Sequence, residues 1–123
     1  MTWPGPITAI TVFTDDVDAT KAFYVEVFGL PIVFEDDASA VSRFGTQLLN
    51  LLRATEAPEV IAPAEVGSGK RTLFTLTVDD VDAVCAQVQE RGVTLINGPE
   101  DRPWGVRTAC FADPGGNLWE IAR

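Results

Sequence analysis

The 123-residue chain contains no histidine, and it has only two cysteines, one methionine and one tyrosine. Without histidine there is no Ser-His-Asp or Cys-His nucleophilic machinery, no imidazole acid or base, and no imidazole metal ligand. Cys85 and Cys110 are too few and too far apart for a CxxC zinc or redox site. Both lie in apolar segments, which predicts buried free thiols in a reducing compartment. Basic residues are scarce as well: nine Lys+Arg stand against eighteen Asp+Glu, a formal net charge of −9. That balance disfavours nucleic acid, which needs a basic footprint, and permits a cationic small molecule or a basic partner. Its plainest consequence is solubility. No apolar run reaches the roughly 18 residues that a membrane span needs. Met1-Thr2-Trp3-Pro4 lacks the basic-then-apolar layout of a signal peptide. The expectation is a cytoplasmic protein with neither a membrane nor a nucleic-acid partner.

What is present is a foldable chain, 46% apolar and 22% charged, of a length that suits a single domain over residues 1–123. It also repeats itself. Thr14-Asp15-Asp16-Val17-Asp18-Ala19 is matched 64 positions later by Val78-Asp79-Asp80-Val81-Asp82-Ala83, and Gly29-Leu30 by Gly92-Val93. Each copy predicts a strand (7–13 and 72–78), then an Asp-rich turn supplying an N-cap, then a helix (about 18–28 and 82–91) closed by Gly29 or Gly92. Ala19, Ala22, Phe23 and Val27 are expected on the buried face of the first helix, and Val81, Val84, Cys85 and Val88 on that of the second. Three short strands follow in each copy: 30–36, 40–44 and 47–53, then 94–97, 106–112 and 118–122. Gly45, Asn97-Gly98 and Asp113-Pro114-Gly115-Gly116-Asn117 supply turns. Each half therefore reads βαβββ, with modules at 1–53 and 71–123. Segment 54–70, rich in Ala, Pro, Glu, Gly and Ser, reads as a mobile linker. The fold class is α+β, with helices on one sheet face and a cleft on the other.

The phrase Asp15-Asp16-Val17-Asp18-Ala19-Thr20-Lys21-Ala22-Phe23-Tyr24, followed by Phe28-Gly29-Leu30, resembles the first helix of the vicinal oxygen chelate superfamily. That group comprises glyoxalases, bleomycin-resistance proteins and ring-cleaving dioxygenases. Phe111-Ala112-Asp113-Pro114-Gly115-Gly116-Asn117-Leu118-Trp119-Glu120-Ile121 resembles its last hairpin and strand. Together with the repeat, the resemblance covers the chain apart from the linker. It implies two βαβββ modules forming a half-open curved sheet with helices on the outer face, a site in the concave sheet, and a homodimer. In metal-using members it implies a His, Gln or Glu opening the first strand of each module and a Glu on the last. Carried onto this chain, those positions are Ala9, Asn50 or Leu49, Leu73 and Glu120. A divalent ion needs three or four donating ligands, and one carboxylate falls short, so no metal and no cofactor is expected.

Strand alternation then sets the lining of the cleft: Ile7, Ala9, Thr11 and Phe13 in the first module, Leu73, Thr75 and Thr77 in the second, and Leu118, Glu120 and Ala122 on the last strand. With Asn50 this is a mostly apolar wall bearing a few polar groups, as small-molecule pockets are. Glu120 is the principal candidate. A carboxylate among Ala9, Leu73 and Leu118 calls for a ligand cation or donor, or else an internal salt bridge to Arg107 or Arg43, or it is a leftover family position with no present role. Trp104 either stacks on a flat or cationic ligand or covers the core or a dimer contact. Arg107 either binds an anionic ligand group, clamps Glu120, or is solvated. Trp119, alternating away from Glu120, reads as a plug over the core or a dimer contact rather than a stacking group, Phe23 as core, and Trp3 as cover for a dimer seam. The resemblance to the bleomycin-resistance type implies a homodimer that sequesters a small molecule, a cationic or aromatic antibiotic or metabolite. Two alternatives stay open: a lyase, isomerase or epimerase using Glu120 as base or remnant ligand, and a structural or regulatory partner domain.

Overall fold

A computed structural model describes residues 6–70 and 72–123, so Trp3 lies outside the described residues. The chain divides into two compact units, Met1–Gly67 and Ser68–Arg123. The first contains β1 (Ala9–Thr14), α1 (Val17–Glu26), β2 (Ile32–Glu35), β3 (Ser39–Phe44) and β4 (Gln47–Arg53). The second repeats the plan after α2 (Pro58–Ile61), with β5 (Leu73–Thr77), α3 (Val81–Glu90), β6 (Asn97–Asp101), β7 (Arg107–Ala112) and β8 (Leu118–Ala122). The sheets have the equivalent orders β1-β4-β3-β2 and β5-β8-β7-β6. In each, the outer first strand runs parallel to the last, and the other pairs are antiparallel. The α+β class and the duplicated βαβββ order are those expected.

Matching signals in the two copies produce matching elements. Asp16 and Asp80 have extended backbones, and their side chains accept the Ala19 and Ala83 amides at 3.0 and 3.1 Å. These are N-caps worth about 1 kcal/mol each. Gly29 (φ +70°) and Gly92 (φ +90°) end the helices in the left-handed conformation that glycine adopts without a Cβ clash.

The face of α1 differs from expectation. Val17, Thr20, Tyr24 and Val27 are buried, whereas Ala19 and Ala22 are exposed and Phe23 is half-buried. Apolar residues surround this helix, so periodicity alone could not select a side. Aromatic packing and a buried hydroxyl pair select it. Tyr24 is fully buried, with its ring centroid 5.2 Å from that of Phe28 and 6.0 Å from that of Phe44, both edge-on. Thr20 Oγ1 lies 2.9 Å from Thr14 Oγ1 and donates to the Asp16 carbonyl at 2.8 Å. On α3 the buried residues are Val81, Cys85 and Val88. Beneath them lie Ala109, Phe111, Trp119 and Ile121, all at most 2% exposed.

Two further segments depart from the sequence reading. The stretch read as a structureless linker carries a 3-10 turn at Ala54–Glu56 and then α2, with Ala57 only 2% exposed. Pro58 at the start of α2 explains this, since its fixed φ suits the first helical turn. The strand expected at 94–97 instead occupies 97–101, and Asn97-Gly98 is part of β6 rather than a turn. Gly98 has φ +79°, and a Cβ there would collide with the Thr108 carbonyl oxygen and the Ala109 backbone. The register shifts between Asn97 and Glu100, so glycine and proline are absorbed as a bulge on an edge strand.

Candidate functional site

In each unit the helix covers one sheet face, and the candidate residues occupy the other. In the first unit, register sets Thr11 beside Asn50, Asn50 beside Val41, and Val41 beside Phe34. The Asn50 amide donates to Thr11 Oγ1 at 3.4 Å. Ala9 and Phe13 flank Thr11 on the same face, paired with Leu48 and Leu52. Leu49 points to the helix side and is 2% exposed, so Asn50 alone is the counterpart of Glu120. Phe34, 60% exposed, closes the row at the sheet edge.

In the second unit the equivalent row is Thr75, Glu120, Cys110 and Asn97. Thr75 Oγ1 donates to Glu120 Oε1 at 3.0 Å. No ion pair reaches Glu120 among the described residues, so Oε2 remains available. Leu73, 47% exposed, and Leu118 lie beside the pair on the same face. Hydrocarbon around a carboxylate with one neutral donor is an arrangement that favours a cation or donor from outside.

Arg107 is not part of this row. Odd-numbered residues of β7 face α3, and the guanidinium donates to Asp82 at 2.8 and 3.0 Å and to Asp101 at 3.2 Å. It does not clamp Glu120. Hydrogen bonding from Arg107 holds the Asp82 carboxyl below its ordinary range, and both aspartates raise the Arg107 pKa. Trp104 is 71% exposed in the turn between β6 and β7. There Gly105 donates its amide to the Arg102 carbonyl at 3.0 Å and Arg102 donates to that of Val106 at 2.7 Å. Trp119 lies within the core rather than over it, 2% exposed and 5.0 Å from Phe74 between ring centroids.

Two residues that the sequence did not nominate belong to the site. Cys110, read as buried, is half-buried on the Glu120 face, and only Cys85 is fully buried. Burial pushes the Cys110 thiol pKa up, the Glu120 charge adds to this, and Arg102 opposes it. Arg102 reaches back over the sheet to donate to Thr108 Oγ1 at 2.8 Å and Asn97 Oδ1 at 3.1 Å, and it pairs with Glu100 at 2.7 Å. Alternation outward from Glu120 would have found Cys110. Nothing in the local pattern announces Arg102, whose position depends on the bulge in β6.

The donors do not fit a divalent ion. At the family's ligand positions the first unit offers only the neutral Asn50 amide beside the hydrocarbon of Ala9, and the second only the Glu120 carboxylate beside that of Leu73, so neither unit brings the three or four donors an ion needs. Among the described residues no three His, Cys, Asp or Glu side chains cluster. No helix among them is long and apolar enough to cross a membrane.

Duplicated βαβββ units with polar pairs centred on their uncovered sheet faces define a class of α+β protein. The chain belongs to the glyoxalase/bleomycin resistance protein/dioxygenase superfamily, whose family model matches residues 7–121. It is 30% identical over 119 residues to the uncharacterised protein YraH of Bacillus subtilis, covering 91% of this chain and 93% of that one. Similar solved structures include TnmS3, an antibiotic binding protein from Streptomyces sp. CB03234, at 29% identity and a TM-score of 0.75 over 98% of this chain and 97% of that one. Lactoylglutathione lyase from Agrobacterium tumefaciens is 26% identical, with a TM-score of 0.79 over 97% and 93%.

Proposed function

We propose that the protein binds a cationic or aromatic small molecule, an antibiotic or toxic metabolite, and sequesters it without metal, cofactor or chemical change. The observation that carries this reading is Glu120, held by one hydroxyl donor on a largely apolar sheet face with no counter-ion among the described residues. The net charge of −9 favours approach of a cation. Trp104 offers an exposed ring for stacking, and Leu73 and Thr75 line the same unit beside Glu120; in the first unit Thr11, Asn50, Ala9 and Phe13 form the corresponding ligand-binding face. The similarity to an antibiotic binding protein supports the ligand class. We place the protein in the cytoplasm as a homodimer.

A second reading is favoured by the similarity to a lyase and by the free oxygen of Glu120: an enzyme of the same family using that carboxylate as acid or base. One experiment addresses both. Thermal-shift titration with a bleomycin-class glycopeptide, with zinc, nickel and manganese in parallel wells, is expected to shift the melting temperature with the drug alone. A ligand at 100 times its Kd adds about 2.7 kcal/mol, several degrees for a domain of this size. A shift with a metal, or turnover lost in Glu120→Gln with binding retained, would put the enzyme first.

A further inference from the structure

The row through Glu120 carries a second charge. Cys110 is the direct cross-strand neighbour of Glu120, and Thr108 lies two positions along β7 on the same face. Arg102 is seated on Thr108 through Nε and on Asn97, the residue opposite Cys110, through a terminal nitrogen. A carboxylate and a guanidinium therefore flank Cys110 on one sheet face. Glu120 and Thr108, on which the guanidinium is seated, are diagonal neighbours, about 7–8 Å apart at the backbone.

The two charges are not spent on each other. Among the described residues Arg102 pairs with Glu100, and Glu120 accepts from Thr75 and from no cation. A guanidinium has five N–H donors. Three are directed at Thr108, Asn97 and Glu100, so one on each terminal nitrogen remains. Glu120 keeps Oε2. The guanidinium is fixed from both ends, by three side-chain partners and by the backbone bonds that close its own turn. Its side chain is still 24% exposed. Such preorganisation lowers the ordering cost of binding.

We propose that this face of the second unit recognises a zwitterion, with an ammonium or similar cation on Glu120 and a carboxylate or other oxyanion on Arg102, the two groups separated by a short chain lying over Cys110. This rests on the reading of Glu120 as a ligand-binding residue and narrows it. A ligand with either group alone makes one contact, whereas a zwitterion makes the second at high effective concentration.

The test uses the isotope-labelled full chain, read by amide chemical shifts. The probes are 4-aminobutyrate, 6-aminohexanoate, the methyl ester of 4-aminobutyrate, butylamine and butyrate. An amino acid is expected to shift the Arg102, Cys110 and Glu120 amides and to bind about tenfold tighter than butylamine or butyrate, a difference near 1.4 kcal/mol. Esterification, which removes the anion and needs no mutation, should bring it to the level of butylamine, as should Arg102→Gln. Equal binding of the amino acids, the ester and butylamine would overturn the zwitterion and leave the cation site standing, provided that Glu120→Gln abolishes butylamine binding. If neither amines nor amino acids move this row, both readings fall.

Discussion

Single residues show how two copies of one plan found different solutions for the same interior position. Thr14 and Thr20 share a hydrogen bond in the first unit, where both are buried, and their repeat partners are Val78 and Val84. A hydroxyl pair and a valine pair occupy equivalent positions, but a mixed pair costs the remaining buried hydroxyl one hydrogen bond. Thr20→Val alone should therefore destabilise by about 0.5–1.5 kcal/mol, since the Thr14 hydroxyl keeps the Asp16 backbone but loses Thr20, and the Asp16 carbonyl loses its shorter hydroxyl donor. The double replacement Thr14→Val with Thr20→Val should cost less than the sum of the two single changes. A denaturant double-mutant cycle reads this directly, and strict additivity would show that the hydroxyls act independently.

At the scale of elements, α3 is tied to the edge of its sheet by Arg107, which bridges Asp82 on the helix and Asp101 at the end of β6. Because Arg107 lowers the Asp82 pKa, the folded state binds fewer protons here than the unfolded state. The resulting stability is present above the unfolded value, about 3.9, and is lost as pH falls through the folded one. Asp82→Asn should thus lower the melting temperature at pH 7, with the gap to the parent closing below about pH 4. A gap that stayed constant with pH would deny the bridge any share in stability. The same bridge shows where local reading ended. The position of Arg107 on a strand is legible, but its face stays open between a ligand contact, a clamp on Glu120 and solvent, and only β7 pairing and the approach of α3 determine that odd-numbered residues turn to the helix.

For the whole molecule the question is which charge effect dominates. Eighteen acidic side chains against nine basic ones leave a net repulsion. The five ion pairs among the described residues each have a partner at least half exposed, except for the Glu100–Arg102 pair, where Glu100 is 49% exposed. Exposed pairs contribute about 0–1 kcal/mol each. Salt screens both effects, and the repulsion, spread over the whole surface, is the larger. Melting temperature at pH 7 should therefore rise between low salt and about 0.5 M sodium chloride. A fall would mean that the local pairs outweigh the net charge.

Short-range signals in the chain specify the duplicated βαβββ order, the aspartate caps, the helix-ending glycines and the alternation that puts Thr75 and Glu120 on one face and Trp119 on the other. These depend on signals a few residues long, or on a repeat visible without any fold. Tertiary structure alone decided the rest. It chose the buried face of α1 through the Tyr24, Phe28 and Phe44 rings, turned Asn97-Gly98 into a strand bulge, selected Asn50 over Leu49, and sent Arg107 to the helix while bringing Arg102 over Thr108. Each of those outcomes depends on a partner distant in sequence or on a strand register, and a local pattern holds no record of either.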